Sequence, residues 1–213
     1  MSELVLTYSW VLFAFILTTT TTLIINKSLS ADKKEISDQN KIDQDNDFVP
    51  ISISVLTISD TRNEENDTSG KTLINKIKNS GHKISNYFIV NDNIENIRKK
   101  ILELTSDSNV DVVITSGGTG LTGKDITFEA IEELLEKKID GFSTIFHMIS
   151  FEKIKTSTIQ SRAFAGIING TYVFCLPGSP SAVKDAWDEI LVYQLDIRHK
   201  PCNLIEIKDR LKE

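Results

Sequence analysis

The sequence contains few of the residues that build covalent cross-links or metal centres. It has 2 cysteines and 3 histidines among 213 residues. Cys175 and Cys202 do not form a CxxC pair, and His82, His147 and His199 are too far apart for an HxxxH motif. These spacings argue against a disulfide framework, a structural zinc site and a zinc hydrolase.

The chain also lacks an excess of positive charge. Its 24 Lys and Arg residues are outnumbered by 30 Asp and Glu residues, which gives a formal net charge of −6. Affinity for nucleic acids comes largely from Lys and Arg side chains that neutralise phosphates. We therefore expect no nucleic-acid partner, and an anionic substrate would need a local positive potential.

The first 47 residues differ in composition from the rest. Residues 1–26 are a hydrophobic leader, whose second half is only weakly apolar because Thr18 to Thr22 are all threonine. Three interpretations stay open: a membrane anchor, a mis-called start and a cleaved signal peptide. Residues 27–47 are rich in Asp, Lys, Asn and Ser and are predicted to be a polar linker. We expect a cytoplasmic domain, tethered to a membrane only if the leader is real.

Residues 48–213 show the alternating pattern of one α/β domain. Runs of β-branched residues predict strands, and the segments between them carry apolar residues at helical spacing. The predicted strands are residues 51–59, 84–90, 110–114 and 172–176, and the predicted helices include residues 73–77, 94–104, 127–135, 142–153, 158–168 and 182–191. Strands separated by helices predict a three-layer sandwich, a mainly parallel sheet with helices on both faces.

One glycine-rich segment follows a predicted buried strand and precedes a helix. Residues 115–125 read Thr-Ser-Gly-Gly-Thr-Gly-Leu-Thr-Gly-Lys-Asp. Gly117, Gly118, Gly120 and Gly123 are expected to reach positive φ and to let the backbone approach a ligand closely. Free N–H groups and the following helix N-terminus favour phosphate. We interpret this glycine loop as a phosphate or nucleotide site.

The residues alone leave three further interpretations of the glycine loop open. Its spacing matches most of a P-loop, but Asp125 stands where a P-loop needs Ser or Thr for Mg²⁺. It also spells GxGxxG, yet Lys124 to Ile126 separate the last glycine from the predicted helix start at Thr127. A plain glycine turn would not need the hydroxyl side chains, the Lys and the Asp that the loop also contains.

Polar residues follow the ends of the predicted strands. They are Ser59 and Asp60, Asn91 and Asp92, the glycine loop, and Pro177 to Ser181. Ligands of parallel α/β sheets bind beyond the carboxyl ends of the strands. Asp60, Asp92 and Asp125 beside a glycine loop predict a Mg²⁺–nucleotide site, because Mg²⁺ is usually held by one or two carboxylates together with phosphate oxygens.

Seven segments in order resemble the MoaB/Mog family of molybdopterin-binding proteins, from Pro50 to about Leu211. The segments are Leu56 to Arg62, Asp67 to Gly70, the glycine loop with Asp125 to Thr127, Asp140 to Phe142, Lys155 to Arg162, Leu176 to Pro180, and Arg198 to Asn203. The chain departs from the family pattern at two positions. Lys124 replaces an Arg or Glu, and Phe128 replaces a Pro at the helix start.

The resemblance implies molybdopterin adenylylation, in which the terminal phosphate of the pterin attacks the α-phosphate of Mg-ATP and releases pyrophosphate. It implies that Asp92 and Asp125 are catalytic and place Mg²⁺ and the triphosphate. The pterin-binding and nucleotide-binding residues that we predict are Ser59, Asp60, Thr115, Gly117, Gly118, Thr119, Gly120, Pro177, Gly178 and Ser179. The alternative function is that of a non-catalytic molybdopterin-binding or carrier protein. The family also implies a homotrimer or homohexamer, with contacts at Thr156 to Arg162 and Arg198 to Asn203.

Overall fold

The computed structural model of the protein describes residues 42–213. The predicted leader and most of the predicted linker lie outside these residues. The described residues fall into two units, one with residues 44–198 and 202–213 and the other including residues 42–43 and 199–201. In the smaller unit, Ile42 and His199 form an antiparallel bridge. No helix within residues 42–213 is both long and apolar enough to cross a membrane.

The larger unit is built around one sheet. Its strands are β1 (Ser52–Ile58), β2 (Lys83–Val90), β3 (Val112–Ser116), β4 (Lys137–Lys138), β5 (Phe164–Ile168) and β6 (Thr171–Leu176). They form a 6-stranded sheet in the order β2-β1-β3-β6-β5-β4. The first four strands in this order are parallel, whereas β5 and β4 run antiparallel to their neighbours. The prediction of a mainly parallel sheet is confirmed.

Helices cover both faces of the sheet. They are α1 (Thr68–Asn79), α2 (Ile94–Ser106), α3 (Thr127–Ile131), α4 (Asp140–Ile154), α5 (Pro180–Ala186) and α6 (Val192–Gln194). Successive strand side chains point to opposite faces, so Val113 and Ile114 enter different hydrophobic clusters. The cluster around Ile114 includes residues of α1, α4 and α5, and the cluster around Val113 includes residues of α2 and α3. These two clusters confirm the three-layer arrangement.

The helix predicted at residues 158–168 is wrong. Lys155–Gln160 is a 3-10 turn, and Phe164–Ile168 is strand β5, which forms a hairpin with β6. Asn169 and Gly170 connect the two strands with φ values of +52° and +71°. Asn-Gly is the strongest short-range signal for such a hairpin, because both central residues of the favoured turn need positive φ. The Asn169-Gly170 dipeptide is therefore the sequence signal that could have predicted β5.

Candidate functional site

Four loops meet at the carboxyl edge of the parallel strands. β1 and β2 end side by side, because the N–H of Ser59 donates to the carbonyl of Val90 at 2.8 Å. β3 and β6 also end together, because the N–H of Gly117 donates to the carbonyl of Leu176 at 3.0 Å. This register brings most of the predicted site residues to one edge: Ser59, Asp60, Asp92, Gly117 to Gly120, Asp125 and Pro177 to Ser179.

Thr115 is placed differently from the other predicted site residues. β3 extends to Ser116, so Thr115 lies inside the strand and is fully buried. Its side chain adjoins the thiol of Cys175, whose pKa is raised to about 12 by burial. This position makes Thr115 part of the sheet core and keeps it away from the loop surface.

The backbone of the glycine loop is closed by Thr127, the first residue of α3. The hydroxyl of Thr127 donates to the carbonyl of Gly117 at 2.9 Å, and its N–H donates to the carbonyl of Gly118 at 3.0 Å. Gly117 and Gly118 have φ values of +112° and +63°. A Cβ atom on Gly118 would lie 2.3 Å from the Thr127 hydroxyl oxygen. Both positions therefore require glycine.

Gly120 and Gly123 do not have positive φ, so the prediction for these two residues is wrong. Gly120 is instead required by close packing, since its Cβ would lie 2.7 Å from an oxygen of the Asp125 carboxylate. That oxygen also accepts the N–H and the hydroxyl of Thr122, at 3.0 and 2.6 Å. Nothing lies within 4 Å of a Cβ on Gly123. Gly123 is thus the one glycine of the loop that neither packing nor φ constrains.

Asp60 and Asp92 are joined by reciprocal hydrogen bonds. The N–H of Asp60 donates to the Asp92 carboxylate at 3.0 Å, and the N–H of Asp92 donates to the Asp60 carboxylate at 3.2 Å. The ammonium of Lys124 lies 3.6 Å from Asp60 Oδ2. Asp92 also lies against the glycine loop, because its Oδ1 would be 3.3 Å from a Cβ on Gly118. Asp92 therefore lies beside the loop at Gly118, and Asp60 is bonded to Asp92.

The environments of Asp92 and Asp125 shift their pKa values in opposite directions. Burial raises the pKa of Asp92, and the nearby charges of Asp60 and Asp125 add to this shift. Burial also acts on Asp125, but hydrogen bonds from Thr122 outweigh it and lower the pKa of this carboxyl. Pairs of titratable groups with pKa values pushed apart are typical of active sites.

We expect Asp92→Asn to raise the melting temperature of the ligand-free protein at neutral pH. Because the folded-state pKa of Asp92 is raised, the stability that this group contributes is present below about pH 4 and is lost as the pH rises through the folded pKa. Asn carries no charge, so the advantage of the variant should grow above about pH 4 and stay constant near pH 7.

Thermal melts of wild type and variant from acidic to neutral pH check this expectation. Asp209→Asn is the control, because the Asp209 side chain is 95% exposed. An Asp92→Asn variant that melts below wild type at neutral pH would show that the carboxylate is favourable in the folded protein.

The Pro177–Ser179 turn packs directly on the glycine loop. A Cβ on Gly178 would lie 3.2 Å from the Cα of Gly117. The carbonyl of Gly178 accepts the hydroxyl of Ser69 at 2.7 Å and Nη2 of Arg62 at 3.3 Å. Ser179 caps α5 by accepting the N–H of Ala182, at 3.2 Å. The turn is therefore held from both sides.

A buried carboxylate supports this turn from below. Asp67 is fully buried and accepts the hydroxyls of Thr57 and Tyr87 at 2.5 and 2.8 Å and the N–H of Gly70 at 2.9 Å. It also pairs with Arg62, which contacts Gly178. These hydrogen bonds outweigh the effect of burial and lower the pKa of Asp67. Sequence reasoning included Asp67 only as part of the family resemblance and assigned it no role.

A cavity of about 390 Å³ opens beside the glycine loop. The loop and the Pro177–Ser179 turn form part of its lining, and α4 with the 3-10 turn that follows forms most of the rest. Thr158 is one of its lining residues, and the hydroxyl of Thr158 is buried and has no hydrogen-bond partner. The α4 and 3-10 residues of this lining were not among the predicted site residues, because Thr158 was predicted to begin a helix.

Comparisons with known proteins identify the family of this chain. A family model described as "Probable molybdopterin binding domain" matches residues 54–197. Molybdenum cofactor biosynthesis protein B of Escherichia coli K12 is 43% identical over 157 residues, which cover 74% of this chain and 92% of that protein.

Two crystal structures extend the comparison. A structure of molybdenum cofactor biosynthesis protein B has a TM-score of 0.70 at 39% identity and covers 77% of this chain and 97% of the other. The tungsten cofactor synthesizing protein MoaB from Pyrococcus furiosus has a TM-score of 0.64 at 32% identity and covers 77% of this chain and 98% of its own. The chain therefore belongs to the MoaB/Mog family of molybdenum cofactor biosynthesis proteins.

Proposed function

We propose that the protein binds molybdopterin at the glycine loop and adenylylates its terminal phosphate with Mg-ATP. In this reaction a phosphate oxygen of the pterin forms a bond to the α-phosphorus of ATP, and the bond from that phosphorus to the bridging oxygen breaks. Pyrophosphate leaves with the bonding electrons. The observation that carries the proposal is the edge where Asp92 and Asp125, with opposed pKa shifts, flank a loop that has no space for side chains at Gly117, Gly118 and Gly120.

The residues present at this edge fit a phosphorylated ligand. Side chains at Gly118 and Gly120 would collide with Thr127 and Asp125, so the loop presents only backbone at these two positions. Backbone N–H groups in such loops bind phosphate without a large positive net charge. Lys124, which is 83% exposed, supplies a local cation. A chain with a formal net charge of −6 can therefore bind anions at this edge.

The site also fits a magnesium ion that arrives with a nucleotide. Within residues 42–213, no three His, Cys, Asp or Glu side chains are grouped to hold a metal alone. Asp92 and Asp125 would hold Mg²⁺ together with phosphate oxygens, because Mg²⁺ needs only one or two carboxylates in such complexes. Bound Mg²⁺ would neutralise charge on the triphosphate. The protein's part is to hold the two phosphate groups in position.

The unpaired hydroxyl of Thr158 is where the uncharged ring of the ligand would find a hydrogen bond. We expect Thr158→Val to weaken molybdopterin binding about tenfold, equivalent to about 1.4 kcal/mol, because Val fills the same space without the hydroxyl. The variant should fold as stably as wild type, since the hydroxyl has no partner in the free protein. Thr156→Val is the control, because Thr156 is exposed and does not line the cavity. Equal affinities of both variants in titration calorimetry would remove Thr158 from the site.

The direct test of the proposed function is transfer of AMP to molybdopterin. Purified protein is mixed with molybdopterin, Mg²⁺ and ATP labelled at the α-phosphate, and the label is followed into the pterin. Label in the pterin and equimolar pyrophosphate are expected. Binding of molybdopterin without transfer would support the second candidate function, a non-catalytic carrier. One observation favours that candidate. The N–H and hydroxyl of Thr122 both donate to one oxygen of Asp125, which is what is expected of a carboxylate whose role is to shape the loop.

We further propose that the protein assembles with copies of itself through an apolar surface on α4 and the following 3-10 turn. Five large apolar side chains are between 48% and 73% exposed there: Ile145, Met148, Phe151, Ile154 and Ile159. An exposed apolar cluster of this kind marks an interaction surface. A homotrimer or homohexamer would cover it in every copy.

Light scattering of the purified protein at micromolar concentration should give three or six times the monomer mass. The double variant Met148→Lys with Ile159→Lys should run as a monomer, because burial of two new charges would oppose association. Leu102→Lys is the control, since Leu102 is 41% exposed but lies on α2. A monomeric wild-type protein would contradict the proposed assembly.

A further inference from the structure

Arg162 lies just before β5 and contacts the second half of the glycine loop. Its N–H donates to the carbonyl of Thr119 at 2.8 Å. Its Nε donates to the carbonyl of Gly120 at 2.8 Å, and its Nη2 donates to the carbonyl of Asp125 at 2.6 Å. These carbonyls belong to no helix or strand. One residue from a distant part of the chain thus satisfies three carbonyls of the loop.

The guanidinium of Arg162 is itself held in place by α3. Both of its terminal nitrogens donate to the carboxylate of Glu129, and these bonds lower the pKa of Glu129. The guanidinium carbon also lies 5.3 Å from the centre of the Phe128 ring. Phe128 in turn packs edge-on against Phe164, with ring centres 5.1 Å apart. Because its partners are fixed, Arg162 can impose a shape on the loop.

We infer that Arg162 is a positioning residue, which fixes the glycine loop in the shape that binds phosphate. The C=O and N–H groups of a trans peptide point in opposite directions. The main-chain N–H of Arg162 holds the Thr119 carbonyl, so the N–H of Gly120 is turned toward the Asp125 carboxylate, where it helps to lower the pKa of that group. The guanidinium holds the next carbonyl, that of Gly120, and the carbonyl of Asp125, and these are the bonds that a substitution of Arg162 removes. Arg162 acts through this backbone. Its effect on ligand binding rests on the proposed function, whereas its effect on the loop does not.

The chain contains a matched control for this role. Arg98 also donates to two backbone carbonyls and one glutamate: Ala130 at 3.0 Å, Glu129 at 3.1 Å and the Glu133 carboxylate at 2.5 Å. These contacts hold the end of α3 and do not reach the glycine loop. Arg98→Gln and Arg162→Gln therefore each remove a guanidinium that donates to two backbone carbonyls and a glutamate. Only Arg162→Gln removes such contacts from the glycine loop.

Hydrogen exchange of the ligand-free protein, read by mass spectrometry, tests the inference without any ligand. In Arg162→Gln we expect the amides of residues 119–126 to exchange about 10-fold faster than in wild type, with the amides of β3 and β6 unchanged. In Arg162→Lys the loop amides should exchange at a rate between those of wild type and Arg162→Gln. A single ammonium cannot replace a guanidinium whose nitrogens reach the carbonyls of both Gly120 and Asp125. In Arg98→Gln these loop amides should keep the wild-type rate. Loop exchange that is unchanged in Arg162→Gln, or equally fast in both Gln variants, would overturn the inference.

Affinities of the same variants for ATP and for molybdopterin then test the consequence. We expect at least about a 10-fold loss in Arg162→Gln and no loss in Arg98→Gln. Faster loop exchange with unchanged affinity in Arg162→Gln would overturn a role in ligand positioning. A wild-type protein that binds neither ligand would refute the proposed function, while the exchange data would still decide whether Arg162 fixes the loop.

Discussion

Replacing Asp125 by Asn is expected to lower the rate of AMP transfer by about 100-fold, a barrier increase of about 2.7 kcal/mol. Asn keeps a carbonyl oxygen that can accept the N–H and hydroxyl of Thr122, which are the bonds that shape the loop. The substitution therefore removes mainly the negative charge. Since the pKa of Asp125 is lowered, that charge is present in wild type at neutral pH. The loss should appear in kcat more than in ligand affinity.

Asp107→Asn is the matched control for this experiment. Asp107 also bonds a nearby main-chain N–H, that of Asn109, at 2.9 Å, but it lies at the end of α2. We expect its turnover to stay within about twofold of wild type, because surface substitutions away from a site have small effects. Unchanged turnover in a folded Asp125→Asn variant would remove Asp125 from the catalytic residues and favour the carrier function.

Replacing Gly118 by Val is expected to weaken binding of both ATP and molybdopterin by about 100-fold or more, equivalent to at least about 2.7 kcal/mol. The φ value of Gly118 is +63°, a conformation that a β-branched residue adopts only with strain. The new Cβ would also overlap the Thr127 hydroxyl, which closes the loop. The loop must therefore open to accept the side chain.

Gly123→Val separates this effect from a general intolerance of the loop to larger residues. Gly123 has no positive φ, and no atom lies within 4 Å of its Cβ position. The affinity of the Gly123→Val variant for both ligands should therefore stay close to that of wild type. Titration calorimetry measures both variants, and circular dichroism checks that they are folded. Wild-type affinity in Gly118→Val would mean that the loop has only a structural role.

Local sequence signals predicted most of the fold. Leu73 and Ile77 in α1, and Ile97 and Ile101 in α2, follow helical spacing and are all fully buried. The wrong helix at residues 158–168 arose because the apolar residues of β5 resemble a buried helix segment when the Asn169-Gly170 turn is not weighed. β4 was not predicted, since two lysines have no strand pattern. Their charge suits an exposed sheet edge.

The candidate site was predictable to the extent that it depends on strand ends. Asp92 and Gly118 could be placed together because parallel strands end at one edge, and the structure brings them into contact. Thr158 and Arg162 could not be placed in this way. Their positions depend on how α4 and β5 fold back over the loop, which is set by tertiary packing and has no local pattern.

The shape of the glycine loop also has a consequence for the order of synthesis. The loop is synthesised before its later partners, since Arg162 follows Gly120 by 42 residues and the Gly178 turn that packs on Gly117 comes later still. Because translation proceeds from the N-terminus, a nascent chain that ends before Arg162 contains the whole motif and the Thr127 contacts, but it lacks the contacts that Arg162 and the Gly178 turn make with the loop. We expect such a chain to have no affinity for its ligands. If the protein binds molybdopterin as proposed, only a chain that extends beyond the Gly178 turn can therefore bind it.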